Sequence, residues 1–295
     1  MNVKNNLSNL LPILKWPGGK RWLSKTLVPI IRDELQGCYF EPFLGGGATF
    51  LALCPKEAVL SDANEQLINF YKCCVKNPKE TVRAAMRRGN TKTEYYEARQ
   101  SKPTTETGRA GRFLYLNKTC WGGVYRLNKK GEFNVPFGNS GRAICDKQSI
   151  YDAALVFGKA QLMCSDFGLA FDKCKKGDVV FADPPYTSLG QFNGFVRYNE
   201  KLFSWADQVR LSILAKKAKR KGTFVAVCGS FHRDVVALYR NWWILEVKRK
   251  TTVARKAKKS NSVSECVVFS RKPKHCEYAL QRITNSFLES IPHNE

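Results

Sequence analysis

The sequence predicts an α/β protein: a sheet with helices on both faces and a smaller, mainly helical domain inserted into it. Three observations carry this. Short apolar strands alternate with helical stretches near both ends of the chain. Three glycines, Gly45, Gly46 and Gly47, stand where a strand hands over to a helix. Between residues 77 and 149 the composition changes to basic helical pieces, followed by a stretch rich in glycine, asparagine and aromatics. At 295 residues, 43% of them hydrophobic, the chain is long enough to bury a substantial core.

Taken in order, Cys38–Phe43 reads as a strand running into the glycines, and Ala48–Leu53 as the helix after them. A second strand, Ala58–Leu60, ends at Ser61-Asp62 and leads to a helix over Glu65–Lys76. Basic helical pieces follow around Thr81–Arg99, then the stretch Tyr115–Gly141, rich in glycine, asparagine and aromatics. The alternation resumes with a strand at Asp178–Ala182, helical periodicity over Leu202–Lys221 and a buried-type strand at Thr223–Cys228. This divides the chain into a discontinuous larger domain, 1–70 and 150–275, an insertion at 71–149 and a C-terminal extension at 276–295.

Composition narrows the partners. Lys and Arg number 49 against 25 Asp and Glu, a net charge of +24. A polyanion fits this excess, because each cation that neutralises a phosphate releases counterions. The positive charge is spread along the chain and not gathered on a basic amphipathic helix, which favours nucleic acid over a membrane surface. No apolar run approaches a membrane span, and the first residues lack the pattern of a signal peptide. A cytoplasmic, nucleoid-associated protein is expected. The 11 cysteines show no Cys-x-x-Cys pair and only three histidines accompany them, so reduced, mostly buried thiols and no metal site are expected.

The strongest local signal is Asp183-Pro184-Pro185-Tyr186, directly after a predicted strand. Two prolines fix the backbone, end the sheet and remove two N–H donors, leaving carbonyl acceptors on a rigid turn. Asp183 adds a carboxylate and Tyr186 an aromatic face. Acceptors for two amine protons beside a ring to stack on are what an extruded adenine requires. A tight turn would explain a bare Pro-Pro; the flanking Asp, Tyr and strand favour the binding reading. In Glu41-Pro42-Phe43-Leu44-Gly45-Gly46-Gly47 the glycines let a ligand approach the backbone, and no Gly-Lys-Ser/Thr follows, so this is not a phosphate-binding P-loop. Asp62, at the end of the next strand, suits the two hydroxyls of an adenosine ribose, and it also suits a helix N-cap before Glu65. Lys15-Trp16-Pro17-Gly18-Gly19-Lys20 joins an aromatic and two cations in a sharp turn. In Trp121-Gly122-Gly123-Val124-Tyr125-Arg126-Leu127-Asn128, Arg126 suits a guanine edge and an aromatic suits a wedge into the base stack; a glycine-rich hairpin around a buried aromatic is the plainer alternative. Lys216, Lys217, Lys219, Arg220 and Lys221 crowd a helix end, where they also complement the helix dipole. Lys248–Lys259 holds seven cations and no acid, a composition suited to phosphate contacts from a loop between two strands.

Together, in this order, the motifs resemble the Dam-like family of DNA adenine N6-methyltransferases, in which target recognition lies between the cofactor-binding and catalytic motifs. The resemblance spans about Leu14 to Pro273. It implies a Rossmann-like methyltransferase sheet carrying a target-recognition domain, S-adenosylmethionine as cofactor and double-stranded DNA as substrate. Trp16, Lys20, Phe43, Gly45 and Asp62, with Asp166 and Phe167 flanking the adenine and Asp183 beside the reacting end, would bind the cofactor. Asp183, Pro184 and Tyr186 would be catalytic. Lys15, Trp121, Val124, Arg126, Asn128, Lys248, Arg249, Lys250 and Arg255 would meet DNA. A companion restriction endonuclease and a monomeric or weakly dimeric state are further expectations. One departure stands out: members that methylate GATC often carry Asn-Gly where this chain has Gly122-Gly123. The alternatives are a cytosine-N4 enzyme, which a Ser in place of Asp183 would favour, an RNA or protein methylase, which an Asn would favour, and a DNA-binding protein without catalysis.

Overall fold

The computed structural model describes residues 10–128, 130–138, 144, 146–186, 203–250, 262–274, 276 and 280–291, and only the main chain of 248–250 and 262–263. It divides into two units, one of Met1–Val28 with Leu44–Phe167, the other of Pro29–Phe43 with Gly168–Glu295. Helix α1, Ser24–Glu34, carries the chain from the first into the second.

In the first unit, β2 (Ala58–Asp62) and β3 (Ala160–Cys164) pair in parallel, with Asp62 opposite Cys164. Helix α2 (Ala48–Leu53) starts after Gly47, whose φ of 65° is the left-handed region that glycine enters without steric cost. Helix α3 (Glu65–Lys76) starts because the Asn64 side chain accepts the Leu67 N–H at 3.1 Å, so Asn64 is the N-cap and Asp62 is not. Its buried face, including Leu67, Ile68, Phe70 and Tyr71, packs on β2 and β3 and also on α6. Helices α4 (Pro78–Ala85), α5 (Lys92–Gln100) and α6 (Glu106–Thr119) occupy the middle of the chain, and α7 (Lys147–Phe157) leads into β3. Helix α6 runs on through Tyr115–Thr119, into the stretch rich in glycine, asparagine and aromatics. Tyr115 and Leu116 are buried against Tyr95, Ala98, Cys120, Phe133 and Val135, and that packing extends the helix.

The second unit orders its strands β1-β4-β5-β7-β6-β8. Strands β1 (Tyr39–Glu41), β4 (Val179–Ala182) and β5 (Phe224–Ser230) are parallel. Strand β7 (Ser262–Phe269) lies antiparallel between β5 and β6 (Trp243–Lys250), and β8 (Gln281–Arg282) pairs with β6. All four residues of β4 are buried, which explains its unbroken apolar run. Burying Val179, Val180 and Phe181 contributes about 1.5–3 kcal/mol each. Among the described residues its helices are α8 (Gly168–Lys173), α9 (Trp205–Arg220), α10 (Arg233–Ala237) and α11 (Asn285–Ser290). A capping box between Ser204 and Asp207 starts α9; Leu202, the expected start, lies outside the described residues. Beyond the predicted boundary at 275, β8 and α11 belong to this unit, and before it Arg271 donates to the buried Glu34 carboxylate at 2.6 Å.

Candidate active site

In the first unit the chemistry gathers at the carboxyl ends of β2 and β3. Ser165 donates its N–H to the Asp62 carbonyl at 3.2 Å, so Asp62 and the Ser165-Asp166-Phe167 segment leave the same edge of the strand pair. The Asp62 carboxylate accepts the Gly45 N–H at 3.0 Å and the Asn64 N–H at 2.9 Å, while Leu44 donates to the Ser61 carbonyl at 2.9 Å. The glycine turn is thereby fastened to β2. Burial pushes the Asp62 carboxyl above the usual carboxylate range, opposed by the N–H groups of Gly45, Asn64 and Ala63. Gly45 has a φ of 47°, and a Cβ there would stand 2.7 Å from Cδ1 of Trp16. Its carbonyl accepts the buried Tyr71 hydroxyl at 3.0 Å. Trp16 in turn stacks on Tyr125 at 5.6 Å. Lys20 is buried and donates to the Gly18 carbonyl at 2.9 Å; Asp166 is exposed and Phe167 buried beside it. An adenosyl ligand fits this donor set. The Asp62 carboxylate has four lone pairs against the three N–H groups of Gly45, Asn64 and Ala63, which leaves acceptor capacity for a ribose hydroxyl.

In the second unit β4 runs between β1 and β5, and its carboxyl end opens directly into Asp183-Pro184-Pro185-Tyr186. Pro184 is buried, whereas Asp183 and Tyr186 are half-buried. The Tyr186 hydroxyl donates to Glu265 Oε2 at 3.0 Å, and Glu265 is itself buried on β7, opposite Ser230 of β5. Burial, then the charges of Asp183, Cys228 and Glu265, hold the Tyr186 hydroxyl well above its ordinary pKa, so it is neutral and a donor. At the end of β1, buried Glu41 accepts the Tyr39 hydroxyl at 2.9 Å. Phe43, which the sequence groups with the cofactor residues, belongs to this unit and meets Phe203 edge-on at 5.5 Å.

Sequence reasoning missed Tyr71 and Glu265. Glu265 had a signal: it shares its strand face with Val267 and Phe269, a charged side chain within an apolar alternation.

The turn from Trp121 to Asn128 belongs to the first unit. Trp121 opens it and is 63% exposed, whereas Phe133, further along the hairpin, is the buried aromatic of its local core. Bridges Cys120–Phe137 and Leu127–Phe133 close the loop. The exposed Arg126 is steered by Asn134, whose Oδ1 accepts its Nε–H at 2.8 Å. Val124 is half-buried against the local core. The Asn128 carboxamide oxygen accepts the N–H groups of Lys130 and Glu132, each at 2.9 Å, which closes the turn. Lys248, Arg249 and Lys250 lie in β6, and Arg255 lies outside the described residues. In the other basic run, Lys221 donates to the carbonyls of Phe171 and Asp172 at 3.0 Å each. Among the described residues no group of three or more His, Cys, Asp or Glu is placed to hold a metal, and no helix is long and apolar enough to cross a membrane.

Functional groups set at the carboxyl ends of parallel strands, on a mixed sheet flanked by helices, define the class: this is a Rossmann-like methyltransferase fold. The comparisons then fix the family. The model of the D12 class N6 adenine-specific DNA methyltransferases matches residues 16–253. A type II methyltransferase of Lactococcus lactis subsp. cremoris is 34% identical over 277 residues, covering 90% of this chain and 97% of that protein. A type II methyltransferase of Methanocaldococcus jannaschii is 30% identical over 285 residues, covering 88% and 98%. A DNA adenine methylase of Vibrio cholerae is 31% identical over 259 residues, covering 85% and 93%. The chain belongs to the D12 class of N6 adenine-specific DNA methyltransferases, and it is an enzyme that moves a methyl group from a donor to DNA.

Proposed function

We propose that this enzyme methylates adenine N6 in a short duplex sequence, GATC or a related one, with S-adenosylmethionine as donor, after turning the target base out of the helix. The observation that carries the reading is the opening of β4 into Asp183-Pro184-Pro185-Tyr186, with Tyr186 tied to Glu265. The cofactor, when bound, supplies an electrophilic methyl group on a sulfonium sulfur. Asp62 would hold its ribose, Asp166 and Phe167 its adenine, and Trp16, Lys20, Phe43, Gly45 and Asp183 would also bind it. Asp183 and the Pro184 carbonyl accept the two N6 protons of the flipped base. That pair of hydrogen bonds raises electron density on a weakly nucleophilic amine and fixes its direction, while Tyr186 stacks on the ring. No covalent enzyme intermediate is required. Residues 71–149 serve as the target-recognition segment, with Lys15 and Arg126 reading base edges, Trp121 wedging into the stack, and Val124 and Asn128 lining the same surface. Lys248, Arg249, Lys250 and Arg255 contact phosphates.

The test is single-molecule long-read sequencing of DNA from a methylation-deficient host expressing the protein. N6-methyladenine in one defined short sequence is expected and would also supply the specificity. N4-methylcytosine alone would overturn the target base, and absence of any modified base would overturn the reading as a DNA-modifying enzyme acting alone.

A further inference from the structure

Asn117, on the last turn of α6, is 2% exposed and spends its side chain on main chain far away in sequence. Its Oδ1 accepts the Lys15 N–H at 3.0 Å, and its Nδ2 donates to the Lys15 carbonyl at 2.7 Å and to the Gly123 carbonyl at 3.4 Å. One carboxamide therefore satisfies both polar groups of Lys15 and ties them to the recognition turn. A second observation comes from the turn itself. Gly123 has a φ of 66°, and a Cβ there would collide with Cβ and Cδ of Lys15. The Lys15 stem thus lies directly over Gly123, in the space its missing side chain leaves. The neighbouring Trp16 ring packs against Gly45 on one side and stacks on Tyr125 on the other, so the segment is held beyond the clamp as well.

We propose that Asn117 is a specificity-positioning residue: by clamping the Lys15 main chain against Gly123 it aims the Lys15 ammonium at a base edge. The proposal rests on the reading of Lys15 as a base contact. Asn117 touches neither DNA nor cofactor in this account. A buried amide that pairs with backbone on both sides holds its partner in one geometry, because leaving any of those groups unpaired is costly. A lysine aimed by a fixed main chain loses less freedom when it binds and discriminates better between base edges.

The experiment uses the full-length enzyme and compares kcat/KM on the duplex that wild type methylates best with kcat/KM on its single-base variants. Asn117→Ala, Lys15→Ala and the double variant are measured, with thermal unfolding and cofactor binding as controls on the fold. Asn117→Asp, which keeps the acceptor for the Lys15 N–H and loses both donors, replaces Asn117→Ala if the latter does not fold. Expected is a loss of discrimination of about tenfold or more at one base position in each single variant. The double variant should be no worse than Lys15→Ala, since both changes remove the same contact. If Lys15→Ala loses discrimination while the folded Asn117 variant keeps it, or if the two losses multiply, the positioning role is overturned. If Lys15→Ala itself discriminates like wild type, the base-contact reading fails first and the proposal falls with it.

Discussion

Two aspartates bracket β4, and their surroundings differ. Asp178, before the strand, is buried and accepts the N–H groups of Cys38 at 2.8 Å and Lys175 at 2.9 Å, which fixes the strand's entry. Asp183 lies after the strand, half-buried, on a turn that two prolines cannot extend into the sheet. Asp183→Ala should therefore lower kcat by roughly 10²-fold or more while DNA affinity by gel shift stays near wild type; near-normal methyl incorporation would remove Asp183 from catalysis. Asp62 gives a pH prediction. Its folded pKa is raised, so its contribution to the stability of the fold is present below the unfolded value of about 3.9 and is lost as pH rises through the folded one. Cofactor binding runs the opposite way, because the ribose hydroxyls need the ionised form. Affinity measured by calorimetry should begin to fall at a higher pH than an ordinary aspartate would dictate, and Asp62→Asn should bind weakly with that pH dependence gone. An unchanged profile in the variant would assign the titration elsewhere. At this scale the sequence made Asp183, Tyr186, Gly45 and Asp62 visible, because turn chemistry and strand ends are local. It did not reveal that Tyr186 leans on Glu265, a partner 79 positions away that only strand pairing brings near.

Elements were legible in proportion to how local their signals are. Helices α2 and α3 have the boundaries the sequence predicted, since the glycine turn starts one and the N-cap Asn64 starts the other. Strand β1 is shorter than the predicted Cys38–Phe43, because Pro42 cannot donate to a ladder. The basic stretch from Lys248 begins inside β6, paired with β7, so its first three residues are strand and not loop. The cations at the end of α9 also divide by role. Lys221 is spent on carbonyls at the end of α8, where a cation meets the negative end of the helix dipole. Lys219 lies over the Trp242 ring at 5.4 Å, and burial, then the charge of Arg282, holds its pKa below the ordinary lysine value. Lys221→Ala should cost about 1–2 kcal/mol of stability, seen as a lowered Tm, with DNA affinity and its salt dependence unchanged. A loss of DNA affinity without a loss of Tm would move Lys221 to the interface.

For the whole molecule the deciding quantity is the net charge of +24. Structure has assigned some of this charge to internal work: Lys221 to helix ends, Arg112 to the carbonyls of Ala98 at 2.8 Å and Arg99 at 2.6 Å, and Arg271 to Glu34. The large excess of cations over acids still suits a phosphate polyanion. If roughly 6–10 phosphates are neutralised, log Kd for duplex DNA should rise with log salt at a slope near 0.9 per contact, giving a loss of about 10³–10⁵ in affinity between 50 and 200 mM salt. The two classes of proposed contact then separate. Replacing Lys248, Arg249 and Lys250 with Ala together should weaken binding to all sequences alike and reduce the slope by about 3. Arg126→Ala should change the slope by about 1 at most and instead relax discrimination at one base position. Filter-binding isotherms at several salt concentrations, on the preferred duplex and on a scrambled one, measure both quantities at once. If the triple variant lost specificity with its slope intact, the phosphate role of β6 would be wrong, and the basic stretch would have to be read as part of the sequence-reading surface.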